Sequence, residues 1–108
     1  MDALIIEEKK GANYILLEIS GVINSYTFAE FRSKVYTYIR QSNLVLDLSE
    51  VTGIDSSGLG VLMGAFNDGE ESGFTLYLMR PSTAAHEALD STGFTDTFNI
   101  IHSVTEVV

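Results

Sequence analysis

The feature that most constrains the fold is a pair of short, almost wholly apolar segments separated by a long crossover. Residues 44–48 read Leu-Val-Leu-Asp-Leu, and residues 75–79 read Thr-Leu-Tyr-Leu-Met. Strands this apolar are typical of a parallel sheet whose two faces are both covered. Residues 49–74 are too long for a hairpin and contain a helical stretch over residues 58–69. The pattern therefore predicts a right-handed βαβ unit.

An N-terminal hairpin and a helix are predicted before this unit. Residues 3–8 and 13–20 are strand-like runs rich in Ile and Leu, and residues 9–12 between them are polar and include a glycine. Residues 21–25 are predicted to be a connector.

The first helix is predicted over residues 27–40. Thr27 and Glu30 have the spacing of a capping box. The apolar positions that follow recur at helical intervals, which predicts one buried stripe. They are Phe28, Phe31, Val35, Tyr38 and Ile39.

After the βαβ unit, Pro81 precedes a third helix over residues 83–91, with Gly93 suited to its C-cap. A last strand follows over residues 98–101, and Ser103 with Glu106 again has capping-box spacing. The element order is β-β-α-β-α-β-α-β. It predicts an α/β sandwich, in which a mixed central sheet carries an N-terminal hairpin and helices packed mainly on one face.

Length and composition indicate one domain over residues 1–108. The chain is 45% hydrophobic, which is enough for a single core. It contains no Cys, which excludes disulfide frameworks and thiolate chemistry. Its start is acidic where a secretion signal is basic, and no apolar run approaches the roughly 20 residues of a membrane helix. We expect a cytoplasmic protein that does not insert into membranes.

The net charge of -9 is unevenly distributed. Residues 1–40 contain five acids and five bases, whereas residues 41–108 contain ten acids and one base. Nucleic-acid binding needs clustered Lys and Arg, so nucleic acid is not an expected partner. An acidic surface favours solubility and speeds encounter with a basic protein.

The most informative segment is residues 55–60, which read Asp-Ser-Ser-Gly-Leu-Gly between a strand and a helix. Asp and Ser are natural N-cap residues, but two adjacent hydroxyls exceed what one cap needs. Gly58, Gly60 and Gly64 each cost roughly 1 kcal/mol relative to Ala inside a helix. Tight internal packing is the preferred explanation for these glycines, and close approach of a partner is the alternative.

Three elements together resemble the signature of the STAS domains, and most closely that of the bacterial anti-sigma factor antagonists, or anti-anti-sigma factors. They are residues 45–49 (Val-Leu-Asp-Leu-Ser), residues 55–60, and residues 91–94 (Ser-Thr-Gly-Phe). The similarity covers essentially the whole chain. In that family the Ser after the Asp is phosphorylated by an anti-sigma factor that is also a serine kinase, and a PP2C-type phosphatase removes the phosphate.

The resemblance implies a phosphorylation-controlled switch in transcription regulation, with Ser56 as the phosphoacceptor. The unphosphorylated form would bind the kinase-type anti-sigma factor, and phosphorylation would release it. ATP would be bound by that partner, so no cofactor is expected on this chain, and the free domain is expected to be monomeric. The predicted partner surface comprises Asn24, Ser25, Tyr26, Asp55, Ser57, Gly58, Leu59, Gly60 and Met63.

The segment before the first helix departs from the family pattern. Many members have a G-E-hydrophobic-D element there, whereas this chain reads Gly-Val-Ile-Asn over residues 21–24. Both acids are absent. The resemblance implies that this loop lies near the phosphorylated Ser and meets the partner, so the missing acids bear on which partner binds.

The sequence also bears on other classes of function. A hydrolase needs a nucleophile, base and acid, and Ser56, His86 and Asp55 supply these types, but the G-x-S-x-G context is absent. No metal-ligand spacing occurs either, so neither catalysis nor a metal site is expected. A constitutive STAS adaptor subunit of a transporter or signalling complex is the alternative to the switch.

Overall fold

The computed structural model describes residues 3–108 and contains five strands and three α-helices. Met1 and Asp2, which begin the predicted domain, lie outside the described residues. Chain order gives β1 (Ile5–Lys10), β2 (Ile15–Ile23), α1 (Phe28–Ile39), β3 (Leu44–Ile54), α2 (Ser56–Ser72), β4 (Leu76–Met79), α3 (Thr83–Thr92) and β5 (Asn99–Ile101). Short 3-10 turns span Thr95–Thr97 and Val104–Glu106. The predicted element order is confirmed.

All five strands form one mixed sheet in the order β1-β2-β3-β4-β5. The hairpin strand β1 is antiparallel to β2, and every other neighbouring pair is parallel. The predicted parallel pair is confirmed, since Leu44 lies opposite Leu76 and Asp47 opposite Met79. The apolar start of β3 is therefore central in the sheet, as its composition predicts.

The three α-helices pack on one face of the sheet, which confirms that prediction. Alternate residues of the strands, such as Leu46 and Leu78, meet the apolar stripes of the helices in one core. The helical residues buried in that core are Phe31, Val35, Ile39, Val61, Leu62, Ala65, Ala85 and Leu89. A smaller cluster covers part of the opposite face, where Val107 packs with Val45 and Tyr77. No helix within residues 3–108 combines the length and apolar character needed to cross a membrane.

Two strands are longer than predicted. Residues 21–23, expected in a connector, belong to β2, and residues 49–54, expected in a loop, belong to β3. These extensions pair with each other, with Gly21 opposite Val51 and Ile23 opposite Ile54. Gly21 has a φ of 111° and sits at a register irregularity, and a Cβ there would lie 2.8 Å from the Ala3 carbonyl oxygen. This glycine therefore lets the strand continue past the bend.

The cap of α1 is also different from the prediction. The Thr27 side chain makes no capping hydrogen bond, and its hydroxyl instead donates to the Val22 carbonyl at 2.8 Å. Asn24 organises the turn before the helix, because its Oδ1 accepts from the backbone N–H groups of Tyr26 and Thr27 at 2.9 and 3.3 Å. The capping box at Ser103 and Glu106 is present, on the 3-10 turn.

Asp47 is the buried acid of the sheet, on the face opposite the helices. Burial raises its pKa, but the Ser49 backbone N–H at 3.0 Å and the Arg80 guanidinium at 2.6 Å outweigh that effect and lower the pKa below its usual value. Arg80 has a φ of 49°, a conformation that non-glycine residues rarely adopt. The ion pair therefore ties the end of β4 to β3.

We expect Asp47→Asn to lower the free energy of unfolding by about 1.5 to 3 kcal/mol at pH 7, because a hydrogen bond to a charged group is lost. Since folding depresses this pKa, the stabilisation is present above the unfolded pKa of about 3.9 and is lost as pH falls through the folded pKa. Urea unfolding at pH 7 and pH 3 should show the difference between variant and wild type shrinking. The exposed Asp96, changed to Asn, is the control. An equal difference at both pH values would contradict this role.

Candidate functional site

The candidate site lies where β3 ends and α2 begins, beside the end of β2. Asp55 follows β3 directly and is the N-cap of α2. Its backbone N–H donates to the Ile23 carbonyl at 3.0 Å, which joins the site to the last residue of β2. The carboxyl ends of two parallel strands thus meet here, at the edge of an α/β sheet where ligands commonly bind.

The Asp55 carboxylate is held by the first turn of α2. Its Oδ1 accepts from the Ser57 hydroxyl at 2.5 Å and from the Gly58 backbone N–H at 3.1 Å. The Ser57 hydroxyl and then the Gly58 N–H lower the pKa of this carboxyl. Asp55 is therefore ionised at neutral pH and compensates part of the helix dipole.

The two adjacent serines have different environments. Ser57 is half-buried and its hydroxyl is engaged by Asp55. Ser56 is exposed at the first position of α2, and its hydroxyl forms no hydrogen bond with any residue between 3 and 108. Two adjacent hydroxyls exceed what one cap needs, and in the structure Asp55 caps the helix with the help of Ser57. Ser56 is left as the accessible hydroxyl.

The turn over residues 24–26 borders this site through the Ile23–Asp55 hydrogen bond. Tyr26 is 81% exposed, while its backbone N–H is held by the Asn24 side chain. A rigid turn that carries an exposed aromatic ring is a common feature of protein interfaces, because the ring contributes large contact area at low entropic cost. The structure therefore brings together the Asn24, Ser25 and Tyr26 segment with Asp55 and Ser56.

The remaining predicted partner-surface residues divide into three groups. Gly60 is exposed, and a Cβ added there would have no neighbour within 4 Å. Leu59 and Met63 are half-buried and pack against the main core, so each offers only part of its side chain. Gly58 is buried, which corrects its assignment to the surface: its Cβ would lie 2.7 Å from side-chain atoms of both Ile23 and Ile54.

The glycines therefore have two different explanations. Internal packing, the preferred explanation, is confirmed for Gly58 and for Gly64, where a Cβ would overlap the Tyr36 hydroxyl of α1. It is wrong for Gly60, which contacts nothing at that position. Local propensity is the same for all three, so only the packing of α2 against its neighbours separates them.

His86, considered above as a hydrolase base, lies in α3. Its Nδ1 is 3.1 Å from Asp90 Oδ2, one helical turn away, and both side chains are about half exposed. This geometry is that of a surface i,i+4 pair. It leaves His86 engaged with Asp90, on a helix other than the one that carries Ser56.

Together these features define a mixed α/β domain with a single helical layer and an unengaged serine at the N-terminus of α2. The family model described as STAS domain matches residues 3–107, and the chain belongs to the STAS domain family. The anti-sigma-B factor antagonist of Bacillus subtilis is 31% identical over 96 residues, which span 88% of each chain. The chain is thus similar to regulatory binding proteins of this kind.

Solved structures of other proteins have the same fold. An anti-sigma factor antagonist from Mycobacterium paratuberculosis has a TM-score of 0.79 and 22% identity, covering 96% of this chain and 90% of that one. The phosphorylated form of the Bacillus cell fate determinant SpoIIAA has a TM-score of 0.71 and 19% identity, covering 96% and 95%. At these identities the likeness shows the fold.

Proposed function

We propose that this protein is an anti-sigma factor antagonist whose binding is switched by phosphorylation of Ser56. In its unphosphorylated form it binds and sequesters a kinase-type anti-sigma factor. That partner binds ATP and transfers the γ-phosphoryl group to the Ser56 hydroxyl, which loses its proton as the new P–O bond forms and ADP leaves. The phosphorylated form releases the partner, and a PP2C-type phosphatase hydrolyses the phosphoserine and resets the switch.

One observation carries the proposal: of the two serines after Asp55, only Ser56 is both exposed and unengaged among residues 3–108. A kinase needs an accessible hydroxyl that can enter its active site. Ser57 would have to give up its hydrogen bond to Asp55 first. The geometry therefore favours the serine that the family resemblance also implies.

The position of Ser56 explains how the domain would tolerate a phosphate. Phosphorylation adds about 1.5 to 2 negative charges at pH 7. The N-terminus of α2 provides unpaired backbone N–H groups and the positive end of the helix dipole, which stabilise an anion there. No buried group has to move, since Ser56 faces solvent. The same-fold structure of SpoIIAA in its phosphorylated form is consistent with this conclusion.

The test is incubation of the purified protein with candidate kinase-type anti-sigma factors and ATP, read by intact-mass measurement and phosphopeptide mapping. We expect one phosphoryl group on the wild type and on Ser57→Ala, and none on Ser56→Ala. Ser57→Ala is the matched control because it removes the neighbouring hydroxyl and retains Ser56.

Two results would contradict the proposal. One is a phosphate mapped to Ser57. The other is an unmodified Ser56 in the presence of an anti-sigma factor that binds the domain stably. The second result would favour the constitutive STAS adaptor, which uses the same surface without modification.

A further inference from the structure

An unpaired arginine lies on the surface formed by α1 and α2. Four of the chain's six bases form ion pairs with acids: Lys9 with Glu18, Lys34 with Glu8, Arg40 with Asp68, and Arg80 with Asp47. Within residues 3–108, Arg32 and Lys10 have no ion-pair partner. Arg32 is exposed, yet it is held in place, because its guanidinium carbon lies 5.1 Å from the centre of the Tyr36 ring.

The contacts between α1 and α2 show where Arg32 lies relative to α2. Arg40 donates to the Asp68 carboxylate at 2.8 Å, 28 residues further along the chain. Tyr36 lies against Gly64, at the same interval. Arg32 and Gly60 are separated by the same 28 residues, one helical turn closer to the start of each helix. Extending the register by one turn therefore places Arg32 on the side of α1 that faces the turn of α2 containing Gly60.

Arg32 and Arg40 make the same contact with Tyr36 but differ in their partners on α2. Both Arg32 and Arg40 stack on Tyr36, at 5.1 and 5.5 Å from the ring centre. Arg40 has a carboxylate partner on α2, Asp68, whereas the position of α2 that corresponds to Arg32 in this register is Gly60, which has no side chain. An arginine has five N–H donors arranged to bind a carboxylate with two parallel hydrogen bonds. At Arg32 those donors are oriented but have no protein acceptor among the described residues.

We propose that Arg32 binds a carboxylate of the anti-sigma factor, with Gly60 as the open backbone over which the partner's acidic side chain approaches. Charge complementarity identifies this occupant, because the exposed Arg32 guanidinium has no acid paired with it among residues 3–108 and a carboxylate is the acceptor that matches its donors. The inference rests on the proposed function, because it names the contact that the partner makes beside Ser56.

The location also connects this contact to the switch. Ser56 and Gly60 are one turn apart on α2, which is about 6 Å of rise along the helix axis. A partner carboxylate bound at Arg32 beside Gly60 would then lie within about one Debye length of a phosphate on Ser56. The phosphate on Ser56 would then repel the partner carboxylate that Arg32 attracts.

Arg32→Gln tests the contact against Lys10→Gln, which removes the other unpaired base from the hairpin strand β1. The probe is the kinase-type anti-sigma factor that phosphorylates the wild type, titrated calorimetrically in ADP at 50 and 200 mM NaCl. We expect Arg32→Gln to weaken binding about tenfold at low salt and to reduce the salt dependence of Kd. Lys10→Gln should stay within about twofold of wild type, and both variants should keep the thermal midpoint of the wild type.

A second measurement does not depend on that partner. A blocked tetraglutamate peptide is titrated while the Nε–Hε signals of the arginines are followed by NMR. We expect a saturable shift at Arg32 and smaller shifts at Arg40 and Arg80, whose guanidiniums already have carboxylate partners.

The outcomes separate this inference from the proposed function. If Arg32→Gln binds the anti-sigma factor as tightly as wild type while Ser56→Asp weakens binding, the proposed Arg32 contact is contradicted and the proposed Ser56 switch is supported. If no kinase-type anti-sigma factor binds, the proposed function fails, and the peptide titration alone decides whether Arg32 receives a carboxylate. Equal NMR shifts at Arg32, Arg40 and Arg80, or no shift at any of them, would overturn the proposal that Arg32 binds a carboxylate.

Discussion

Phosphorylation of Ser56 is expected to reduce the affinity for the anti-sigma factor by about tenfold to several-thousandfold without unfolding the domain. About two added charges roughly 6 Å from one partner carboxylate give a repulsion of about 1 to 5 kcal/mol between water-like and surface-like dielectric constants. Those energies correspond to the stated range of Kd. Local repulsion is sufficient, and no rearrangement of the sheet or helices is required.

Two variants test the electrostatic origin of this effect. Ser56→Asp carries less charge than a phosphate, so it should weaken binding by less than phosphorylation does. Ser56→Ala should bind the anti-sigma factor at least as well as wild type, because α2 keeps its cap at Asp55. Titration calorimetry gives Kd for each form, and circular dichroism checks that the fold is retained.

The decisive comparison is between wild type with stoichiometric phosphate on Ser56 and the same protein after phosphatase treatment. Equal affinity for the anti-sigma factor in these two samples would contradict the switch mechanism. A loss of affinity accompanied by a lower thermal midpoint would instead indicate that the phosphate acts by destabilising α2.

Much of the fold could be predicted because the signals are local. The apolar run at the start of β3 and the helical stripe with Phe31 and Val35 depend only on neighbouring residues, and both features are confirmed. The second half of β3 could not be predicted in this way. Its Ser49, Glu50 and Thr52 have no strand-like pattern. This half of β3 pairs with the distant end of β2 through Glu50, Val51, Gly53 and Ile54.

The same distinction applies to the site. The N-cap at Asp55 was predictable from residue type, since a short acceptor before a helix has few other roles. The capping box at Thr27 was wrong because the Thr27 hydroxyl oxygen accepts from the Asn24 backbone N–H instead, while its proton is donated to the Val22 carbonyl. Sequence spacing could not show that Ser57 is hydrogen-bonded to Asp55 while Ser56 has no partner among residues 3–108, because that difference depends on side-chain contacts. The same holds for Arg32, which stacks on Tyr36 without an acidic partner among the described residues.

Gly58 and Gly60 are expected to respond to substitution in opposite directions, although they are two residues apart on one helix. Gly58→Ala should lower the free energy of unfolding by about 1 to 3 kcal/mol, because the new Cβ would lie 2.7 Å from Ile23 and Ile54 atoms and would overpack the core. Gly60→Ala should raise it by up to about 1 kcal/mol, since nothing lies within 4 Å and Ala is the better helix former.

The thermal midpoint should therefore fall by several degrees in Gly58→Ala and rise in Gly60→Ala. A change of about 1 kcal/mol moves the midpoint of a domain this small by roughly 4 to 8 °C. A larger residue extends the test to function. Gly60→Leu should remain folded but bind the anti-sigma factor more weakly, because its side chain covers the backbone over which the partner approaches Arg32. If Gly60→Leu unfolded the domain, internal packing would explain this glycine as well, and α2 would present no open backbone to a partner.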